Sequence, residues 1–333
     1  MLLILVPLLL LTTQGFFSLP LDKLLVSVVS RTGLNFPTHL TKMLRFKADI
    51  RSIIYMVITT ALLIVQWNLG SLNPFLYVWC LFMAVSVSVM AHNHNHLPIW
   101  KNNTLNILTD WWLTCFYGFP VWAWVPTHNK NHHTLNNKEG DYTITYRISE
   151  RNNLLTLLTY PSISGYFQQI VLRAYLKEVK VKSKKKYYQC LAQIAVLIIF
   201  VGVALLIDWK KALLYIIIPQ QVSTFSVLIL NYVQHVHADE ESDINHSRNF
   251  EGLINILLFN NGLHTVHHDK AGTHWSKTPA EHEKIKHLID PALIEKSFWW
   301  YIIRSYFLAL FIPRFRTKTK RIHNLKSAEV IAQ

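Results

Sequence analysis

Four apolar stretches, residues 52–69, 74–91, 187–207 and 212–230, constrain this 333-residue chain more than any other feature. Each approaches the ~20 apolar residues needed to cross a bilayer core, and lipid offers no partner to exposed backbone groups, so each reads as a helix. The connecting turns, W-N-L-G-S-L-N-P from Trp67 and D-W-K-K from Asp208, are short. Such turns return the chain to the side it left. The expected fold class is therefore an all-α integral membrane protein, with four transmembrane helices in two hairpins and a helical cap on the face shared by their outer ends. A hydrophobic content of 51% argues in the same direction.

Charge orients the hairpins. Of the 33 Lys and Arg residues, Lys23 precedes the first hairpin, Lys210 and Lys211 sit in the second turn, and the other 30 lie on the opposite side. By the positive-inside rule that side is cytoplasmic. The net charge of +14 thus reads as membrane orientation and attraction to anionic headgroups, not as a nucleic-acid footprint. Lys180, Lys182, Lys184, Lys185 and Lys186 form a headgroup anchor before the third span, or a docking surface for an acidic electron donor or acyl carrier.

The flanking segments are expected to lie at the membrane surface. Residues 1–50 begin with an apolar run that lacks the positive start of a secretory signal, and read as an anchor or interfacial segment. Residues 51–297 are expected to form the main domain, and residues 298–333 an interfacial helix with a basic tail. Residues 105–125, with Trp111, Trp112, Trp122 and Trp124, and residues 298–312, with Trp299 and Trp300, have the aromatic density of headgroup-level helices. The same aromatic wall could line an acyl tunnel.

All the candidate ligands fall at the cytoplasmic ends of the spans. His92 and His96 stand in H-N-H-N-H; His128, His132 and His133 in H-N-K-N-H-H; His264, His267 and His268 in H-T-V-H-H; Asn231 and His235 in N-Y-V-Q-H. At i and i+4, outer pairs share a helix face. Neutral imidazoles without thiolates are a transition-metal donor set. Cys80, Cys115 and Cys190 are isolated in apolar sequence and offer neither a disulfide framework nor a thiolate site. No Glu is followed three residues later by His, which excludes the ferritin-like Glu-x-x-His architecture. Eight or nine imidazoles exceed what a catalytic zinc needs. A metal transporter would carry ionisable ligands inside its spans, and these spans hold no His, Asp or Glu before their cytoplasmic ends.

In this order, and separated by paired spans, the three boxes resemble the membrane fatty acid desaturase family over roughly residues 50–290. By motif, His92 and His96 match its first box, His128, His132 and His133 its second, and His264, His267 and His268 its third. N-Y-V-Q-H is similar to the Asn-x-x-x-His element of stearoyl-CoA-type members, which implies His235 as a ligand and Asn231 as a water-mediated one. The resemblance implies two iron ions, O2 as co-substrate, a lipid acyl substrate and an external electron donor, either ferredoxin or a cytochrome b5-type protein with its reductase. No domain for electron transfer is visible in the chain. The three-residue gaps in the first two boxes, and N-Y-V-Q-H itself, also resemble alkane hydroxylases of the same superfamily, so hydroxylation or ketolation is the alternative outcome.

Other polar residues are expected to play supporting parts. Asp141 and Asp269 are placed to orient ligands, His246 and His274 to orient a ligand or the substrate, and His94 and His237 to sit outside the ligand set. His39, His282, His287 and His323, and the E-E-S-D cluster from Glu240, are expected at the surface.

Overall fold

A computed structural model describes residues 38–321, which are mostly helical. The apolar N-terminal run and His323 lie outside the described residues, as does the side chain of His39. Among the described residues, three helices are long and apolar enough to cross a membrane: Lys47–Asn68, Pro74–His96 and the 52-residue run Lys184–His235.

The first two runs supply α1 (Ile50–Asn68) and α2 (Pro74–His96), which pack along each other. Asn73 caps α2 by accepting from Leu76 N at 3.1 Å, ahead of Pro74 in the first turn. Every residue from Ser86 to His92 is buried, because other helices surround this half of α2. Its apolar residues therefore do not follow a single face.

The segment expected at headgroup level is buried in its second half, from Leu113 on, while Leu108 is exposed. Helix α3 (Asn103–Tyr117) packs against α2 and against α5 (Lys184–Ala212), and buries Leu113, Thr114, Cys115 and Tyr117. Trp122 and Trp124 are also buried, the first stacked on Tyr175. Density of Trp marks amphipathic surroundings, but a protein interior provides them as well as a headgroup layer does. Trp299 and Trp300 are exposed, whereas the adjacent Tyr301 is fully buried.

Helix α4 (Leu154–Lys182) was not legible as a long apolar run. It starts with a capping box, in which Asn153 and Thr156 exchange hydrogen bonds, and it tolerates Pro161 within its second turn. Gln168, Gln169, Arg173 and Lys177 dilute its hydropathy, yet Leu155, Leu158, Tyr166 and Ile170 are exposed. It packs on α5 and on α6 (Ile218–His235).

The 52-residue run is interrupted. Asp208 leaves the helical region (φ −157°, ψ 98°), and its carboxylate accepts from the backbone of Lys210 and Lys211, each at 3.1 Å. These are the contacts of a helix start. Beyond it, α6 packs closely on α2, and His235 ends beside His132 of the segment after α3, with ring centroids 4.7 Å apart.

The cap closes over these ends. Arg248, buried, donates to the carbonyls of Val233 (2.9 Å) and Val236 (3.0 Å) and so satisfies the terminus of α6. Two short strands, β1 (Asn249–Phe250) and β2 (Ile294–Glu295), pair in parallel. Two surface expectations are corrected here. Glu240 is buried, accepting from Arg321 Nε at 2.7 Å, because the C-terminal segment folds back over it. His282, on the short helix Thr278–Ile285, is 1% exposed.

Candidate metal centre

Four elements deliver the histidines. His92 and His96 occupy the last turn of α2, and His235 that of α6. His264, His267 and His268 sit on a short helix, α7 (His264–Asp269). The second box lies on a π-helical segment, Val125–His132, in which the backbone N–H of His133 bonds to the carbonyl of His128. That i to i+5 pattern brings His133, not His132, alongside His128.

Local sequence explains how α7 is aimed. Phe250 N donates to Gly262 O at 2.8 Å, and the approach is so close that a Cβ on Gly262 would lie 2.3 Å from Phe250 O. Asn255 braces the same turn, accepting from Gly262 N and donating to Phe250 O, each at 2.9 Å. Only glycine fits this position.

The nine ring nitrogens fall into two groups, each with its donor atoms within 4.8 Å of one another. His92, His96, His128, His133 and His267 form the first, and His132, His235, His264 and His268 the second. In the first, Nε2 of His92 lies 2.9 Å from those of His128 and His267, and Nε2 of His133 lies 3.0 Å from the same two. In the second, Nε2 of His235 and His264 are 3.0 Å apart. A hydrogen-bond network does not account for such a ring, since each Nε2 has one proton or one lone pair and makes two contacts. Adjacent ligands on one ion are roughly 3 Å apart when each bond is about 2.1 Å. The spacing is that of ligands around a common point. His96 Nε2, His132 Nε2 and both ring nitrogens of His268 are buried without a protein partner, so the donor set fits metal ions.

Two of the outer ring nitrogens, those of His132 and His235, are held. Asp141, fully buried, accepts from His132 Nδ1 at 2.8 Å, which turns Nε2 toward the second group. The carboxylate also accepts from Asn137 N (2.9 Å), Thr143 N (2.7 Å) and Thr143 Oγ1 (2.7 Å). Asn136 and Asn137, at φ 47° and 66°, reverse the chain after the box so that Asp141 can return to it. Burial alone would raise the Asp141 pKa, but the His132 ring and the Thr143 donors hold it below the usual carboxylate range. His235 Nδ1 donates to His246 O at 3.2 Å. Burial, reinforced by neighbouring imidazoles, pushes His128, His264, His267 and His268 well below the ordinary histidine pKa and His133 down to about 2. These rings are neutral, as metal ligation requires.

The remaining candidates occupy other positions. Asn231 does not touch a ring; its Nδ2 donates to Tyr160 Oη at 2.7 Å. Asp269 meets His246 at 3.2 Å, one step removed from the ligand set, and the His246 ring packs near His268. His94 turns away to Asp110 at 3.4 Å, His237 is held by Glu150 O and Thr317, and His274 pairs with Asp49 at 3.1 Å. Sequence reasoning missed Thr143 and Tyr160, which no motif marks; Trp124, one of the aromatic residues it singled out, has its ring 5.3 Å from His92 and 5.1 Å from His128.

A cavity of about 280 Å³ reaches both groups, touching His92 and His128 of the first and His264 of the second. Trp124, Leu172 and Phe225 are among its apolar walls, so one tryptophan of the aromatic segment lines the cavity.

Comparison with known proteins adds the family. The fatty acid desaturase family model matches residues 69–300 of this chain. No curated protein matches it.

Proposed function

The chain belongs to the fatty acid desaturase family, and on that premise we propose that it is an O2-dependent lipid acyl desaturase built around two iron ions. The observation that carries this reading is the pair of imidazole groups, spaced for ligation and both reached by one cavity. One iron would be held by His92, His96, His128, His133 and His267, and the other by His132, His235, His264 and His268, with Asn231 acting through water. Bound iron supplies oxygen activation strong enough to remove hydrogen from an unactivated methylene.

The protein's own residues do the rest. Asp141 and the His246 carbonyl fix the tautomers of His132 and His235. Trp124 and the facing walls of α4 and α6 confine the chain, and such confinement decides which carbons lie near the metals. In overall balance, –CH2–CH2– and O2, with two electrons and two protons, give –CH=CH– and two waters. The electrons would come from a separate ferredoxin or cytochrome b5-type donor. The three-residue gaps of the first two boxes favour a second reading, in which the chain is hydroxylated instead.

The topology proposed is four spans in two hairpins, the long apolar run being divided at Asp208, with the metal centre on the cytoplasmic face beside the exposed Lys184, Lys185 and Lys186. Residues 51–297 would be the catalytic domain. The test is mass spectrometry of total fatty acids, with double-bond localisation, from cells expressing the chain or its His132→Ala variant. A new oxygen-dependent alkene confined to the unaltered protein is expected. A hydroxylated product would establish the second reading, and unchanged lipids in both would count against acyl oxidation.

A further inference from the structure

The cavity follows α6. Gln221, Thr224, Leu228 and Asn231 line it at three- and four-residue intervals, a single helical stripe that leads toward His235. Gly165 and Gln168 of α4 form part of the facing wall. At the outer end Gln169, Gln221 and Phe225 are exposed. At the inner end, next to the histidines, stand two amides, Asn231 and Gln234.

Their orientation is fixed by chemistry. Tyr160 gives its hydroxyl proton to Thr143 O at 2.6 Å, so its oxygen receives the Asn231 Nδ2–H at 2.7 Å. Asn261 O is a carbonyl and can only accept, so Gln234 turns Nε2 to it at 2.7 Å. In each side chain the amide oxygen is left over as an acceptor. Gln234 is 2% exposed, so bulk water does not satisfy it. The hydroxyls of Thr127 and Thr143 in the same wall are already donated, to Ala123 O (2.8 Å) and Asp141 (2.7 Å). A plain hydrocarbon in this position would face carbonyl oxygens with nothing to offer them, an unfavourable burial.

We propose that the natural substrate is a lipid chain bearing a hydroxyl group beside the carbon that is oxidised, its single O–H donated to Gln234 Oε1 while Asn231 Oδ1 keeps its water. The inference rests on the acyl-oxidising reading above and specifies its substrate. A site built to bond a hydroxyl discriminates against the analogue lacking it far more than an apolar pocket discriminates against an added methylene.

The experiment is a competition. The purified iron-loaded protein, supplied in parallel reactions with ferredoxin or with cytochrome b5, each with its reductase, receives vesicles of phosphatidylcholine carrying hexadecanoyl chains mixed with the full series of monohydroxyhexadecanoyl positional isomers. At least one isomer should be consumed about tenfold or more faster than the plain chain, and Gln234→Leu should collapse that ratio. Without reductant, the same isomer should raise the Tm of the unaltered protein more than the plain chain does, a readout independent of turnover. Equal consumption of the plain chain and every isomer would overturn the inference while leaving acyl oxidation standing; solvent at the metals would then be the donor. Consumption of neither would overturn the acyl reading and the inference with it.

Discussion

His133 Nε2 lies 3.0 Å from His128 Nε2, five residues earlier, whereas His132, a residue nearer in sequence, faces the other imidazole group. The π-helical turn is responsible, because its i to i+5 bond carries His133 a full turn round to His128. One box therefore serves both groups. Substitution at neighbouring residues should consequently empty different sites: His133→Ala is expected to weaken iron at the first group and His132→Ala at the second. Each should abolish product and lower bound iron from about two per chain toward one, read by elemental analysis. Identical iron spectra for the two variants would contradict the division.

Asp141→Asn leaves one acceptor oxygen where the carboxylate offers two, so with Thr143 kept on that oxygen His132 Nδ1–H loses both its acceptor and the charge that steadies it, and Asn137 N loses its partner as well. Loss of such a partner costs about 10–100-fold in metal affinity. Chelator competition measures it, and an unchanged affinity would remove Asp141 from the supporting set.

Tyr160→Phe removes the acceptor of Asn231 and the donor to Thr143 O in one step. With Asn231 free to rotate, turnover should fall about tenfold or more while iron content stays the same. A parallel loss of iron would mean that Tyr160 supports the fold of the centre instead.

Gly262→Ala places a Cβ 2.3 Å from Phe250 O. Relief requires the turn before His264 to shift, at a cost of about 1–3 kcal/mol, with loss of iron from the group containing His264. Thermal denaturation and metal analysis together test this; a stable, iron-replete variant would show that the turn adapts.

Acid should destabilise the metal-free protein through its buried imidazoles. His128, His264, His267 and His268 have folded pKa values well below the ordinary 6.5, and that of His133 falls to about 2. Below 6.5 the unfolded chain binds protons that the folded one refuses, so stability is full above that pH and declines from there downward. Bound metal competes with those protons, and the iron-loaded protein should hold its Tm to lower pH. Tm measured from pH 8 to 5 decides; a flat profile for the metal-free protein would mean that the rings are open to water.

The histidines that form the centre were legible in the sequence, because neutral imidazoles at helical spacing beside apolar runs have few other uses. The first two long apolar helices were legible for a similar reason: a run of about 20 apolar residues has one stable conformation in lipid. Helix α4 was hidden by its glutamines and by Pro161, whose cost is local and is absorbed by packing on α6. His282 and Glu240 looked like surface residues because no local pattern announces a partner segment arriving from elsewhere in the chain, as Arg321 does for Glu240.

Sequence by itself determined the donor chemistry, the membrane setting and the family, since these depend on residue type and on spacing along one helix. Tertiary structure alone decided which imidazole joins which group, that Trp124 walls a cavity rather than anchors a headgroup layer, and that Asn231 and Gln234 turn their nitrogens into the wall. Each of those depends on distances between segments far apart in the chain, and such distances are set by packing and by hydrogen-bond partners that no local spacing encodes.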